Sequence, residues 1–103
     1  MRYDSYLRST IGRIFKLLPL REQTEQGANL FLDAYIDDLS LDAAGAMVTF
    51  PELYECPLFI SIVNSLNYMK YHWSDMPFST YRSTVLRMTN GLSKLLGEEV
   101  AHV

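Results

Sequence analysis

The stretch Cys56 to Trp73, CPLFISIVNSLNYMKYHW, constrains the fold more than any other part of the chain. It carries one formal charge, Lys70, in eighteen residues. Leu58, Ile62, Leu66, Met69 and Trp73 recur at spacings of 4, 4, 3 and 4, with Phe59 and Val63 beside them. That period belongs to a helix, because a strand would alternate. Eighteen residues are also too many for an ordinary strand, and the polar ones are too frequent for a membrane span. Full burial of one large apolar side chain contributes about 1.5–3 kcal/mol. Seven of them on one stripe make this helix the expected organiser of the core. The opposite stripe is Ser61, Asn64, Ser65, Tyr68 and His72. It is polar yet uncharged until His72 takes a proton, whereas an ordinary solvent face carries Lys and Glu. Two readings follow. Either a second element of the same bundle covers this stripe, or it is a docking surface for a partner.

Around that helix the pattern predicts an all-α, single-domain bundle of four main helices, at about 3–18, 20–40, 57–73 and 77–97, within one domain of residues 1–103. In the first, Leu7, Ile11, Ile14 and Leu18 repeat at 4, 3 and 4. Asp4 or Ser5 is suited to cap its start, and Pro19 to end it. Gly12 inside it suggests a close approach of a neighbouring helix. In the second, Leu32, Tyr35, Ile36 and Leu39 form one face, with Leu30, Phe31 and Ala34 on another. Residues 40–50, SLDAAGAMVTF, read as the main irregular link, with an extended piece at Met47 to Thr49. Thr49 and Glu52 have capping-box spacing, and Pro51 fits a first helical turn. Pro57 would clash with the carbonyl of Leu53 in a continuous helix. The expectation is therefore a short helical turn near 50–55 and a fresh start at Pro57. Ser74 or Asp75 is placed to cap the fourth helix. Phe78, Tyr81, Val85, Met88, Leu92 and Leu95 give that helix a sustained seam. Asn90-Gly91 weakens the pattern there, Gly97 suits the C-terminal cap, and residues 98–103 read as a flexible tail.

With 103 residues, 49% hydrophobic and 20% charged, the chain is long enough and apolar enough to build a core without staples. A single cysteine excludes an intramolecular disulfide and any cysteine-based metal site. The first residues, MRYDSYLRST, lack an apolar signal core, so a cytoplasmic setting is expected. The net charge of −3 conceals strong segregation. Residues 1–21 hold five bases and one acid, and residues 22–56 hold eight acids and no base. Such asymmetry is met either by pairing the first helix against the second or by presenting a charged surface outward.

No catalytic constellation is visible, and neither a metal site nor a cofactor is expected. Cys56 and His72 are separated by about 24 Å along one helix, so they cannot act together. No Glu-x-x-His pair stands on any helix, and no Gly-rich phosphate loop occurs. The segment GAMVTFPEL resembles the second half of an EF-hand calcium loop, but Leu41, Ala43 and Gly45 fall where that family needs oxygen ligands. The expectation is a non-enzymatic protein-protein interaction or regulatory domain. Its partner is a protein, and a second copy of the chain is among the candidates. Tyr54, Ser61, Asn64, Tyr68, Tyr71 and His72 are the candidate partner-binding residues, since Tyr and Met are enriched at interfaces. Asp33, Asp37, Asp38 and Asp42 form a candidate acidic surface. The alternative is a DNA-binding regulator that reads with the start of the 77–97 helix, through Ser79, Thr80, Arg82, Ser83 and Arg87. A lesser alternative lays the basic amphipathic helix 3–18 on a membrane surface.

Overall fold

The computed structural model describes residues 3–24 and 30–97. The expected tail at 98–103, and the part of the 20–40 helix over 25–29, lie outside the described residues. The structure is all-α. Helices run over Asp4–Phe15 (α1), Leu17–Thr24 (α2), Leu30–Thr49 (α3), Pro51–Tyr54 (α4), Pro57–His72 (α5) and Phe78–Leu95 (α6), with a 3-10 turn at Trp73–Asp75.

Four of these make a ring. α1 packs along α6, α6 along α5, and α5 along α3. α3 returns to α1 through side chains: Arg13 to Asp42 at 3.1 Å, and the Tyr35 hydroxyl to the Arg13 carbonyl at 2.6 Å. Neighbours run antiparallel. Asp33 meets Trp73, Asp37 meets Lys70, and Ser40 meets Asn67, which fixes the register of α3 against α5. The Tyr81 hydroxyl donates to the Leu17 carbonyl at 2.8 Å, which sets the start of α6 at the end of α1. The space inside the ring is filled by Leu7, Ile14, Leu32, Ile36, Phe59, Leu66, Tyr81 and Leu92, each fully buried.

α5 follows the sequence pattern closely. Pro57 occupies its first turn, where a missing N–H costs nothing, and Phe59, Ile62, Val63, Leu66, Met69 and Trp73 are buried. Leu58, expected on the same stripe, is half-buried. Pro51 likewise opens the short α4, and Gly97 adopts the left-handed conformation (φ 75°) that closes α6, its N–H bonded to the Lys94 carbonyl.

Elsewhere the chain departs from expectation. The first helix does not run over 3–18 and Pro19 does not end it. The break falls at Lys16, and Pro19 lies in the first turn of α2, where a proline is tolerated. Residues 40–49 are not a link, and Met47 to Thr49 is not extended, because α3 runs through to Thr49. Leu39, Ala43 and Ala46 continue its buried face at helical spacing, and the about 1 kcal/mol that Gly45 costs a helix is too little to break it. The capping box is not formed. Phe50 is the N-cap of α4 without a side-chain bond, and the Thr49 hydroxyl turns back to the Gly45 carbonyl at 3.2 Å. Tyr3 and Pro77, not Asp4, Ser5, Ser74 or Asp75, hold the N-cap positions of α1 and α6. Gly12 has no close neighbour, since a Cβ built there meets nothing within 4 Å. The close approach is at Gly91 instead, where a Cβ would lie 3.3 Å from both Ile62 and Leu58.

Candidate functional site

The antiparallel pair α3 and α5 turns one side into the core and leaves the other outside. On α5 the outward sector carries Ile60, Ser61, Asn64, Asn67, Tyr68, Tyr71 and His72, all exposed. None is formally charged at neutral pH with His72 neutral. The reading in which a second element of the bundle covers Ser61, Asn64, Tyr68 and His72 is therefore not met within the described residues. Tyr68 and Tyr71 are 57% and 73% exposed, far more than aromatic side chains ordinarily show. Tyr68 lies against His72, ring centres 4.4 Å apart, and Lys70 sits 5.4 Å above the Tyr71 ring.

Tyr54 does not join this group. It is exposed on α4, before the start of α5, while Tyr71 and His72 stand at the far end of that helix, about 24 Å away along its axis. Two residues that belong to the sector escaped the sequence reading, Ile60 and Asn67. Their spacing to Asn64 and Tyr71, 60, 64, 67 and 71, was the available signal.

α3 extends the same surface. Its outward sector is Ala34, Leu41, Ala44, Gly45 and Val48, with Asp38 exposed among them and Asp37 at the edge toward α5; Leu41 is 62% and Val48 82% exposed. The two sectors meet at an open cleft of about 530 Å³ lined by Asp33, Ala34, Asp37, Lys70 and Tyr71. The register of the pair carries Ala44 and Val48 alongside the first turns of α5. A sequence reading that makes 40–50 a loop cannot assemble this face, since the helical phase of Leu41 and Val48 is lost.

The candidate acidic surface is largely spent inside the molecule. Asp33 accepts from the Trp73 indole at 2.5 Å, and Asp37 pairs with Lys70 at 2.7 Å. The Lys70 amine is held above its ordinary pKa, chiefly by that hydrogen bond. Asp42 accepts from Tyr6 at 3.0 Å and from Arg13 at 3.1 Å. Burial pushes the Tyr6 hydroxyl up to about 12, with the bond to Asp42 adding to it. Asp33, Asp38 and Asp42 remain exposed, Asp38 without a bond to a neighbouring helix among the described residues. These acids fasten α3 to α5 and α1 more than they present a patch. The charge asymmetry of the sequence is thus met in part by pairing: one base of α1 reaches an acid of α3, and a second acid is answered from α5.

Ser79, Thr80, Arg82, Ser83 and Arg87 are all exposed along α6. They do not sit on a helix-turn-helix. Such a motif crosses its helices at about 90–120°, whereas the second half of α6 lies against the first turns of α5 through Gly91, Leu58 and Ile62. α5 and α6 are an antiparallel hairpin, and α6 does not project as a reading helix. Packing takes up much of the apolar face on which the membrane alternative rests. Of the stripe Leu7, Ile11, Ile14 and Leu18, Leu7 and Ile14 are fully buried and Ile11 and Leu18 half-buried, while Phe15 beside them is 50% exposed. No described helix is long and apolar enough to cross a membrane. The residues of the EF-hand-like segment lie within and just after α3, and no group of three or more metal-ligating side chains occurs among the described residues. Cys56 is half-buried at the start of α5 and His72 closes the same helix, so the two remain apart. No family model matches the chain, and neither a curated protein nor a solved structure shows significant similarity to it.

Proposed function

We propose that the protein is a small non-enzymatic protein-protein interaction or regulatory domain, acting in a cytoplasmic setting. Its docking surface is the outer face of α5 together with that of α3. The observation that supports this reading is the aromatic and aliphatic skin of that face: Leu41, Val48, Ile60, Tyr68 and Tyr71 in solvent, between side chains that are mostly small or neutral, its charges being Asp38 and, at the cleft, Asp33 and the Asp37–Lys70 pair. A large apolar residue left in water forgoes about 1.5–3 kcal/mol that burial would return. Scattered exposure is ordinary, but a run along two adjacent helices is the pattern of a surface that another molecule covers. Tyr68 and Tyr71 are the expected anchors, as rigid amphipathic side chains at the end of the face nearest Trp73. A second copy of the chain is one candidate for that molecule.

Light scattering together with affinity capture on the intact chain tests the proposal. The expected result is either a concentration-dependent dimer or a captured partner, in both cases lost in the Tyr68→Ala, Tyr71→Ala double variant. A strict monomer whose captured proteins are the same with and without those two rings would overturn it.

A further inference from the structure

Among the ring helices, α6 stands diagonally across from α3, and its charge is the reverse. α3 holds four acids and no base, while α6 holds Arg82, Arg87 and Lys94 and no acid. The acids of α3 are mostly answered by neighbouring helices. Among the described residues, the bases of α6 are not. Arg82, Arg87 and Lys94 are exposed, and among the described residues no carboxylate pairs with them. Lys16, between α1 and α2, is exposed in the same way, and the Tyr81–Leu17 bond brings its segment to the start of α6. Between these cations the outward sector of α6 carries Ser79, Ser83 and Asn90. Acids flank the strip in sequence, Asp75 before it and Glu98 and Glu99 after it, but none lies within α6.

We infer that the outer face of α6, extended by Lys16, binds the phosphodiester backbone of double-stranded nucleic acid. Three physical points carry this. Arginine, lysine and short hydroxyl or amide side chains are the groups that contact phosphates and sugars. From Arg82 to Lys94 the helix rises about 18 Å, long enough to follow several successive phosphates along a duplex. The net charge of −3 does not oppose this, because the molecule measures 41 × 33 × 20 Å and charges are screened within about 8 Å at physiological salt. The acids of α3 and the bases of α6 are electrically separate surfaces. An anionic membrane is the poorer partner for the same strip. The apolar face of α6, with Tyr81, Val85, Met88 and Leu92, is buried in the core and supplies nothing to insert. Because α6 lies flat along the bundle, the contact is to backbone and reads no sequence.

The test is fluorescence anisotropy of the intact protein with a labelled random-sequence DNA duplex, repeated with an RNA duplex, across a salt series. Four cations predict a log–log slope of affinity against salt of about −3 to −4. Arg82→Ala and Arg87→Ala should each flatten that slope by about one and weaken binding equally on unrelated sequences. Tyr68→Ala with Tyr71→Ala, on the other face, should leave the isotherm unchanged, so that this inference and the proposed docking face succeed or fail separately. Absence of duplex binding at low salt and high micromolar protein, a slope indifferent to both arginine variants, or binding to phosphatidylserine vesicles but not to either duplex would overturn it.

Discussion

α3 and α6 face each other across the bundle, and they are fastened by opposite means. α3 is apolar over most of its circumference, with Leu41 and Val48 left in water on its outer side. Its orientation is set by polar ties at its flanks, Asp33 to Trp73, Asp37 to Lys70 and Asp42 to Arg13. α6 is sharply amphipathic. Tyr81, Val85, Met88 and Leu92 bury one stripe, Gly91 lets it approach α5, and its outer side is mostly polar, with Phe78 exposed at its start and Leu86 half-buried. The comparison teaches that exposure follows from which faces neighbours occupy, and composition alone does not decide it. The more apolar helix is the one that leaves apolar surface uncovered.

Removing the deepest anchor of α6 tests this most strongly. Tyr81→Ala deletes a fully buried ring, its bond to the Leu17 carbonyl, and the surface under the Arg21 guanidinium, 4.7 Å away. The expected loss is about 3–5 kcal/mol in urea unfolding. A loss below about 1 kcal/mol would mean that α6 is not held by its stripe. Alkaline pH tests both helices at once. Burial raises the Tyr6 hydroxyl to about 12 and also raises Tyr35 and Tyr81. Each folded pKa lies above the unfolded value of about 10. The native state then keeps protons that the unfolded chain has released, so stability is intact below about pH 10 and falls as pH rises toward 12. Unfolding followed by circular dichroism across that range should show the fall, and Tyr6→Phe should make it shallower.

The two glycines give the smaller contrasts. At Gly91 a side chain meets Ile62 and Leu58, so Gly91→Val should cost about 1–3 kcal/mol by overpacking. At Gly45, on the outer side of α3, nothing lies within 4 Å of an added Cβ. Gly45→Ala should therefore stabilise by up to about 1 kcal/mol through helix propensity alone. Thermal unfolding that shifted both variants in the same direction would erase the distinction between a packed and an open glycine.

The parts legible in the sequence are those where local chemistry and tertiary demand agree. Pro57 and Trp73 bracket α5, and the Phe78–Leu95 seam survives as α6, because a proline corner and a long apolar period are decisive by themselves. The 40–49 segment misled because a glycine and small residues look like a loop. The weak continuation Leu39, Ala43, Ala46 outweighs them only once α5 is present to pack on. Pro19 misled for the complementary reason, since its effect depends on where the preceding helix has already broken. The candidate site was half readable. Tyr68, Tyr71 and the uncharged residues between them follow from the period of α5. Leu41, Val48 and the internal commitments of the aspartates depend on which helices become neighbours, which no local pattern states.

The bond from Tyr81 to the Leu17 carbonyl spans 64 residues, and α1 packs against α6. During synthesis this has an order built into it. The stripe of Leu7, Ile14 and Leu17 emerges well before α6, its main partner, so α1 waits with apolar residues uncovered until residues near 95 are free to fold. The ring closes late, and the interval before it closes is when the nascent chain is most open to wrong pairings or to a chaperone.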